Sequence, residues 1–194
     1  CTVTGKGLYI TGEGVEAVFK DTSAGQNGTL SAQISIQNKA KLTVENGNYT
    51  KNLRFSSGAT GELKGGYYSQ SIYIGNANSD NTGISCTITG GAYEGREVLV
   101  CGGAALSVSG ADTKIDTLKI DHRDQYSNKL RAEVMLSGGE YEVITLETFP
   151  GSNEDLLDEK QHYAIEDTLA DGYAFYSSGI KTDIGRTEKT LNNV

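Results

Sequence analysis

The sequence predicts an all-β chain: a single-stranded right-handed parallel β-helix (a solenoid) of about six short coils with a C-terminal helical and hairpin cap. Three features carry that prediction. A nine-residue motif occurs five times, two strand-like columns keep fixed offsets from it, and 25 glycines against one proline supply turns throughout. The copies are LTVENGNYT (42–50), GELKGGYYS (61–69), CTITGGAYE (86–94), LSVSGADTK (106–114) and VMLSGGEYE (134–142). Each runs apolar, any, apolar, any, then two small residues, one variable residue and usually tyrosine. Internal repeats of this length are the signature of stacked architectures.

The anchors of the motif are Val44, Leu63, Ile88, Val108 and Leu136, spaced 19, 25, 20 and 28 residues apart. Five residues past each anchor the alignment places Tyr49, Tyr68, Tyr93, Thr113 and Tyr141. A weaker first copy, LYITGEGVE (8–16), sets Ile10 and Val15 in the same two columns. A further column follows each tyrosine: Leu53/Phe55, Ile72/Ile74, Val98/Val100, Leu118/Ile120 and Ile144/Leu146, with Ile34/Ile36 one coil earlier. Its alternation has period 2, which marks strands. The longer spacings hold GNANSDNTG (75–83) and DHRDQYSNK (121–129), polar and turn-rich insertions, so the minimal coil is about 19–20 residues.

Stacking such coils sets each strand beside its equivalent in the next, in parallel, about 4.8 Å away. Inward columns become aliphatic stacks, and the paired small residues let the backbone turn a corner. A leucine-rich repeat would need an LxxLxLxxN/C pattern, and a left-handed hexapeptide helix a small-residue signal every six residues; neither is present. An antiparallel sandwich would not hold one motif at fixed internal offsets.

The pattern stops near Pro150, dividing the chain into repeats over 1–149 and a terminal segment over 150–194. Ser152 or Asn153 suits a helix N-cap, Glu154 and Asp155 suit its first turn, and Gly172 a helix end. One or two short helices are expected there, then a strand–turn–strand over GYAFYSSGIKTD with Ser178-Gly179 as the turn. Residues 151–194 carry 9 acidic and 4 basic side chains, most of the chain's net charge of −8. A solenoid must protect its last coil from unwanted pairing, and this segment is placed to cap it.

Charge and composition exclude several functions. The acidic chain, with a pI of 4.8 and no basic stripe, argues against nucleic acid and anionic membranes as partners. No apolar run approaches the length of a membrane-spanning helix. Cys1, Cys86 and Cys101 have no metal-ligand spacing, and Cys86 sits where other repeats carry Leu or Val, so it reads as a small buried hydrophobe.

Repeats such as Thr89–Tyr93 (TGGAY) and Ser137–Tyr141 (SGGEY), followed by Ala164–Tyr176 (AIEDTLADGYAFY), resemble β-helical adhesin-like cell-surface proteins of Gram-positive gut bacteria. That resemblance implies a secreted or cell-wall-associated bacterial module, usually part of a longer polypeptide. Its implied partners are a glycan or a host or neighbouring surface protein, and no cofactor. As an isolated domain it is expected to be monomeric.

Two features are candidates for chemistry. The tyrosine column could stack on sugar faces, but it reads better as a core stack whose hydroxyls find partners at the rim. The insertion loop brings together Asp121, His122, Arg123, Asp124 and Tyr126, the candidate ligand contacts. Acid, imidazole and guanidinium there could bind a metal or abstract a proton, with Asp112 and Asp116 the nearest further carboxylates, yet a solvated loop is the simpler reading. Asn76–Asn81 lacks the bidentate glutamate of a calcium loop and reads as turn-forming Asx residues. His162 has no partner at ligand spacing, and no nucleophile elbow, P-loop or dinucleotide fingerprint occurs. The leading expectation is a non-enzymatic extracellular module, a structural spacer or adhesin-like interaction surface. The alternatives are a carbohydrate-binding β-helix and, further off, a small polysaccharide lyase or hydrolase.

Overall fold

Short apolar–polar alternations separated by glycine and Asx turns cannot bury a face within one hairpin, so the chain buries them against its own repeats. The computed structural model describes residues 2–23, 28–77, 79–121, 131–147, 165–178 and 181–186. In chain order the strands are β1 (Thr2–Thr11), β2 (Glu16–Phe19), β3 (Thr29–Gln37), β4 (Lys41–Val44), β5 (Asn48–Tyr49), β6 (Leu53–Phe55), β7 (Thr60–Leu63), β8 (Tyr67–Tyr68) and β9 (Ile72–Ile74). They continue as β10 (Ser85–Ile88), β11 (Gly91–Tyr93), β12 (Val98–Cys101), β13 (Ala105–Val108), β14 (Thr113–Asp121), β15 (Glu133–Leu136), β16 (Glu140–Glu147), β17 (Tyr173–Ser178) and β18 (Lys181–Arg186).

The chain passes repeatedly between two parallel sheets. One runs β2, β4, β7, β10, β13, β15 in spatial order. In the other, β1 pairs with β3, whose two halves pair with β5 and β6; the two lines continue through β8/β9 and β11/β12 and rejoin on β14, which pairs with β16. All these pairs are parallel and join equivalent positions one repeat apart, as a β-helix or solenoid requires. After β16 the direction reverses. Strand β18 pairs antiparallel with β16 through Glu140↔Asp183 and Tyr141↔Thr182, and β17 pairs antiparallel with β18. Strands β18 and β17 thus extend the larger sheet beyond β16, while residues 179–180 of the expected turn lie outside the described ones.

Where helices were expected, residues 151–164 lie outside the described ones, and Ile165–Thr168 forms a 3-10 turn. Gly172 takes a positive φ of 82°, but in the turn Ala170–Tyr173 that leads into β17. Leu169 bridges in parallel to Leu136, adding a short contact to the last strand of the smaller sheet.

The register bears out most of the motif alignment. The anchors Val44, Leu63, Ile88, Val108 and Leu136 pair in one line, as do Ile36, Phe55, Ile74, Val100, Ile120 and Leu146. Cys86 lies in the line Leu42–Gly61–Cys86–Leu106–Val134, and both it and Cys101 are buried free thiols. Burial pushes the Cys86 thiol pKa up, which suits an inert core residue. Gly61 in that line makes room for its neighbour: a Cβ there would sit 2.5 Å from the Phe55 ring.

Three placements are corrected. Ile10 pairs with Ile36, not with the anchors, and Phe19 is the first member of the anchor line. Val15 closes the turn Val15 N–H to Gly12 O, the same turn as Ala40 to Gln37, Ala59 to Ser56 and Ala104 to Cys101, so it belongs to the opposite corner from the tyrosines. Thr113 pairs with Gly91, and Ile115 stands in the tyrosine line between Tyr93 and Tyr141. The common cause is that the packing preserves an apolar inward column and absorbs length differences in corners.

At the corner that follows the anchors, Gly47, Gly66, Gly91 and Gly139 take φ between 100° and 113°. A side chain at Gly91 would also place Cβ 2.8 Å from the Gly66 carbonyl oxygen. Gly14, with φ 78°, has nothing within 4 Å of such a Cβ. Gly91→Ala is therefore expected to lose more than the roughly 1 kcal/mol of a conformational penalty alone, and Gly14→Ala only about that penalty. Equal midpoints for the two variants in urea unfolding would contradict the close-packed corner.

Candidate functional site

The tyrosine column is the repeat's most distinctive chemistry, and parallel register decides its fate. Leu30, Tyr49, Tyr68, Tyr93, Ile115 and Tyr141 follow one another inward. Tyr49, Tyr68, Tyr93 and Tyr141 are 4%, 1%, 4% and 0% exposed, so none can serve as a platform for a sugar. Adjacent rings stack at close to the strand spacing: 4.9 Å for Tyr49–Tyr68 and 4.6 Å for Tyr68–Tyr93, with Phe19 a further 6.5 Å from Tyr49.

Each hydroxyl bonds three residues back. Tyr49 Oη donates to the Asn46 carbonyl at 2.9 Å, Tyr68 to Gly65 at 3.1 Å, Tyr93 to Gly90 at 3.0 Å and Tyr141 to Gly138 at 2.9 Å. These carbonyls directly precede the positive-φ glycines, so the phenol satisfies an acceptor that the corner turns inward. Where the column carries Ile115 this device is missing, and the buried Thr113 hydroxyl has no hydrogen-bond partner among the described residues.

The candidate ligand contacts are not brought together as a described site. Asp121 ends β14, is 2% exposed and pairs with Cys101 and Glu147 in the ladder, so it is a buried strand residue. His122, Arg123, Asp124 and Tyr126 lie outside the described residues, as does His162. The Asx reading of the other insertion holds. Asn81, 3% exposed, accepts the Asn76 N–H at 2.9 Å and donates to the carbonyls of Asn76 at 3.0 Å and Gly102 at 2.8 Å, and Asp80 accepts the Thr82 N–H at 2.9 Å.

Surface hollows are found among the described residues. One, of about 400 Å³, opens beside the first coils and is lined by Leu8, Val18, Phe19, Leu30 and Tyr49, with Asp21 at its rim. Asp21 accepts the N–H groups of Ser23 at 2.9 Å and Gly28 at 2.6 Å, which hold its carboxyl below the usual range. A second, of about 280 Å³, is lined by Glu94, Lys114, Asp116, Glu140 and Glu142. Among the described residues no group of three or more His, Cys, Asp or Glu is arranged to hold a metal ion.

The third hollow, a groove of about 450 Å³, is lined by Gly5, Lys6, Gln33, Lys51, Asn52 and Gln70. Its residues come from four successive coils, at the link between the two strand lines of the larger sheet. The motif alignment passes over them because they have no apolar period. The available signal is the polar link of three residues that follows Tyr49 and Tyr68, Thr50–Asn52 and Ser69–Ser71.

Burial sets the alkaline behaviour of the column. Desolvation, with the Asp21 charge adding to it, pushes the Tyr49 pKa up to about 12. Desolvation, then neighbouring phenols and Cys86, raises Tyr68 well above the ordinary 10, and burial raises Tyr93 and Tyr141 as well. The fold thus keeps protons that the unfolded chain releases. The resulting stability is fully present below pH 10 and is lost as pH rises toward the folded values. In an alkaline titration the phenolate absorbance of these rings is expected to rise together with loss of ellipticity; ionisation of the column in a still-folded chain would contradict the buried stack. In urea unfolding at neutral pH, Tyr68→Phe is expected to cost about 1 kcal/mol, because the Gly65 carbonyl loses its donor. Thr113→Val, which removes an unpartnered hydroxyl, is expected to be neutral or stabilising. A destabilised Thr113→Val would show that the hydroxyl has a partner.

No family model, curated protein or solved structure matches the chain, so a functional reading rests on the residues themselves.

Proposed function

We propose that the chain is a single right-handed parallel β-helix serving as a non-enzymatic extracellular module of a bacterial surface protein. It acts as a structural spacer or adhesin-like interaction surface. The observation that carries this reading is where the repeat spends its chemistry. All four tyrosines of the column are buried, and each hydroxyl is tied to the backbone of its own corner. What the repeat preserves is therefore a stack of fixed pitch, and what it leaves variable is the outer surface. Such a stack holds outward side chains at constant spacing over its length. The right hand follows the chirality that a strand–connection–parallel strand path adopts in nearly all proteins. The secreted or wall-associated setting comes from the resemblance of the repeats and terminal segment to cell-surface proteins.

Val18 and Met135, 62% and 52% exposed, face outward in one line five strand steps apart, a separation of about 24 Å. Spin labels at these positions, in a Cys1→Ser background, are expected to give one narrow distance distribution centred near that value plus the label arms. A broad or multimodal distribution would remove the spacer reading. Release of reducing or unsaturated sugar ends from a polysaccharide panel would instead favour a hydrolase or lyase.

A further inference from the structure

Four lysines among the described residues sit in ion pairs. Lys20 meets Glu45 at 2.7 Å, Lys39 meets Glu13 at 3.1 Å, and Lys41 and Lys64 both reach Glu62, at 3.2 and 3.5 Å. Lys6 and Lys51 differ. Among the described residues neither has a hydrogen bond or ion pair, and both line the 450 Å³ groove. The carboxamides of Gln33, Asn52 and Gln70, which complete its walls, are likewise without side-chain partners there. Two unneutralised ammonium groups and three unspent carboxamides thus converge on one hollow of a chain whose net charge is −8.

The groove has a direction. Lys6 lies on the first coil, Gln33 on the second, Lys51 and Asn52 on the third, and Gln70 on the fourth, so it runs along the stack for three strand steps, about 14 Å. At the first coil the groove is lined by Gly5, which sits at the bulge where β1 and β3 shift register between Thr4 and Gly7. The ammonium groups sit on coils two steps apart, about 10 Å along the stack.

The chemistry selects the occupant. An ammonium is a compact point charge suited to a carboxylate. A carboxamide offers two donors and an acceptor, which match sugar hydroxyls acting as both. An acidic peptide fits less well. Strand addition needs an unpaired sheet edge; the strands flanking Lys51, Asn52 and Gln70 are paired on both sides, and the edge that β1 presents beside Lys6 runs across the stack, not along the groove. The mainly polar lining also offers no pocket for an apolar side-chain anchor.

We propose that this groove binds a linear carboxylated polysaccharide lying along the stack, with Lys6 and Lys51 on its carboxylates and Gln33, Asn52 and Gln70 on its hydroxyls. The proposal rests on the surface-module reading and gives that module its ligand class.

The test is calorimetric titration of the intact chain with an oligogalacturonate, a neutral galactan oligosaccharide of the same length, and poly-glutamate. Saturable binding of the oligogalacturonate alone is expected, weakening as sodium chloride is raised. Lys6→Gln and Lys51→Gln should each weaken it roughly tenfold, the loss of one charged contact. The charge-matched pair Lys39→Gln and Lys64→Gln should leave it unchanged, and ellipticity should show all variants folded. No binding, equal binding of poly-glutamate, or equal loss in both lysine pairs would overturn the proposal. None of these outcomes moves the distance between labels at residues 18 and 135, so failure of the groove is distinct from failure of the spacer reading.

Discussion

Every inward residue of this fold must tolerate its own equivalent one strand spacing above and below it. That constraint comes from backbone hydrogen bonding, which fixes the pitch, and from parallel register, which removes any offset between equivalent positions. Aliphatic columns meet it easily, since Ile36, Ile74 and Ile120 pack wherever they are repeated. Tyrosine meets it because flat rings can stack at that pitch; the Tyr68 and Tyr93 planes lie only 5° apart. Phe55 meets it only with help from its surroundings, through the absent side chain of Gly61.

The corner chemistry follows from the same constraint. To bring the next strand into register, the backbone must turn within three residues after Leu63 and Ile88, and the positive φ of Gly66 and Gly91 provides the turn. The turn directs the preceding carbonyl toward the core, where an unpaired acceptor is costly. Tyrosine three residues on is long enough to reach back to it. Glycine and tyrosine in the motif are therefore one device: the first creates the acceptor and the second satisfies it. The coil that carries Ile115 in the column leaves Thr113 with an unanswered hydroxyl, which shows the device by its loss.

Apolar periodicity made the core legible from the sequence, and it failed where periodicity is silent. The anchors and the strand column read correctly because each keeps one side-chain type at one offset. Thr113 was misplaced because the alignment assumed constant length from anchor to column, whereas the corner after Val108 holds two extra residues before Ile115. Val15 and Ile10 were misplaced because coil one turns at Gly12 and Gly14, on the opposite corner from the glycine–tyrosine motif. Asp121 reads as loop from its polar neighbours, yet ladder pairing with Cys101 carries it inside. The groove residues are nearly silent, because Lys6, Gln33, Lys51 and Gln70 have no apolar period and only the polar links after Tyr49 and Tyr68 mark them.

The invisibility of the groove has a physical origin. Inward positions are selected for sameness, since a misfit there strains two neighbouring coils at once. Outward positions face water and answer to no such rule: the line Ser35, Arg54, Tyr73, Leu99, Lys119, Thr145 holds six different residues in perfect register. A pair such as Arg54 over the Tyr73 ring, 4.7 Å from its centroid, needs only local agreement between two coils. A stack built this way separates its two tasks cleanly. Repetition specifies the scaffold, and recognition must be encoded in the positions that do not repeat.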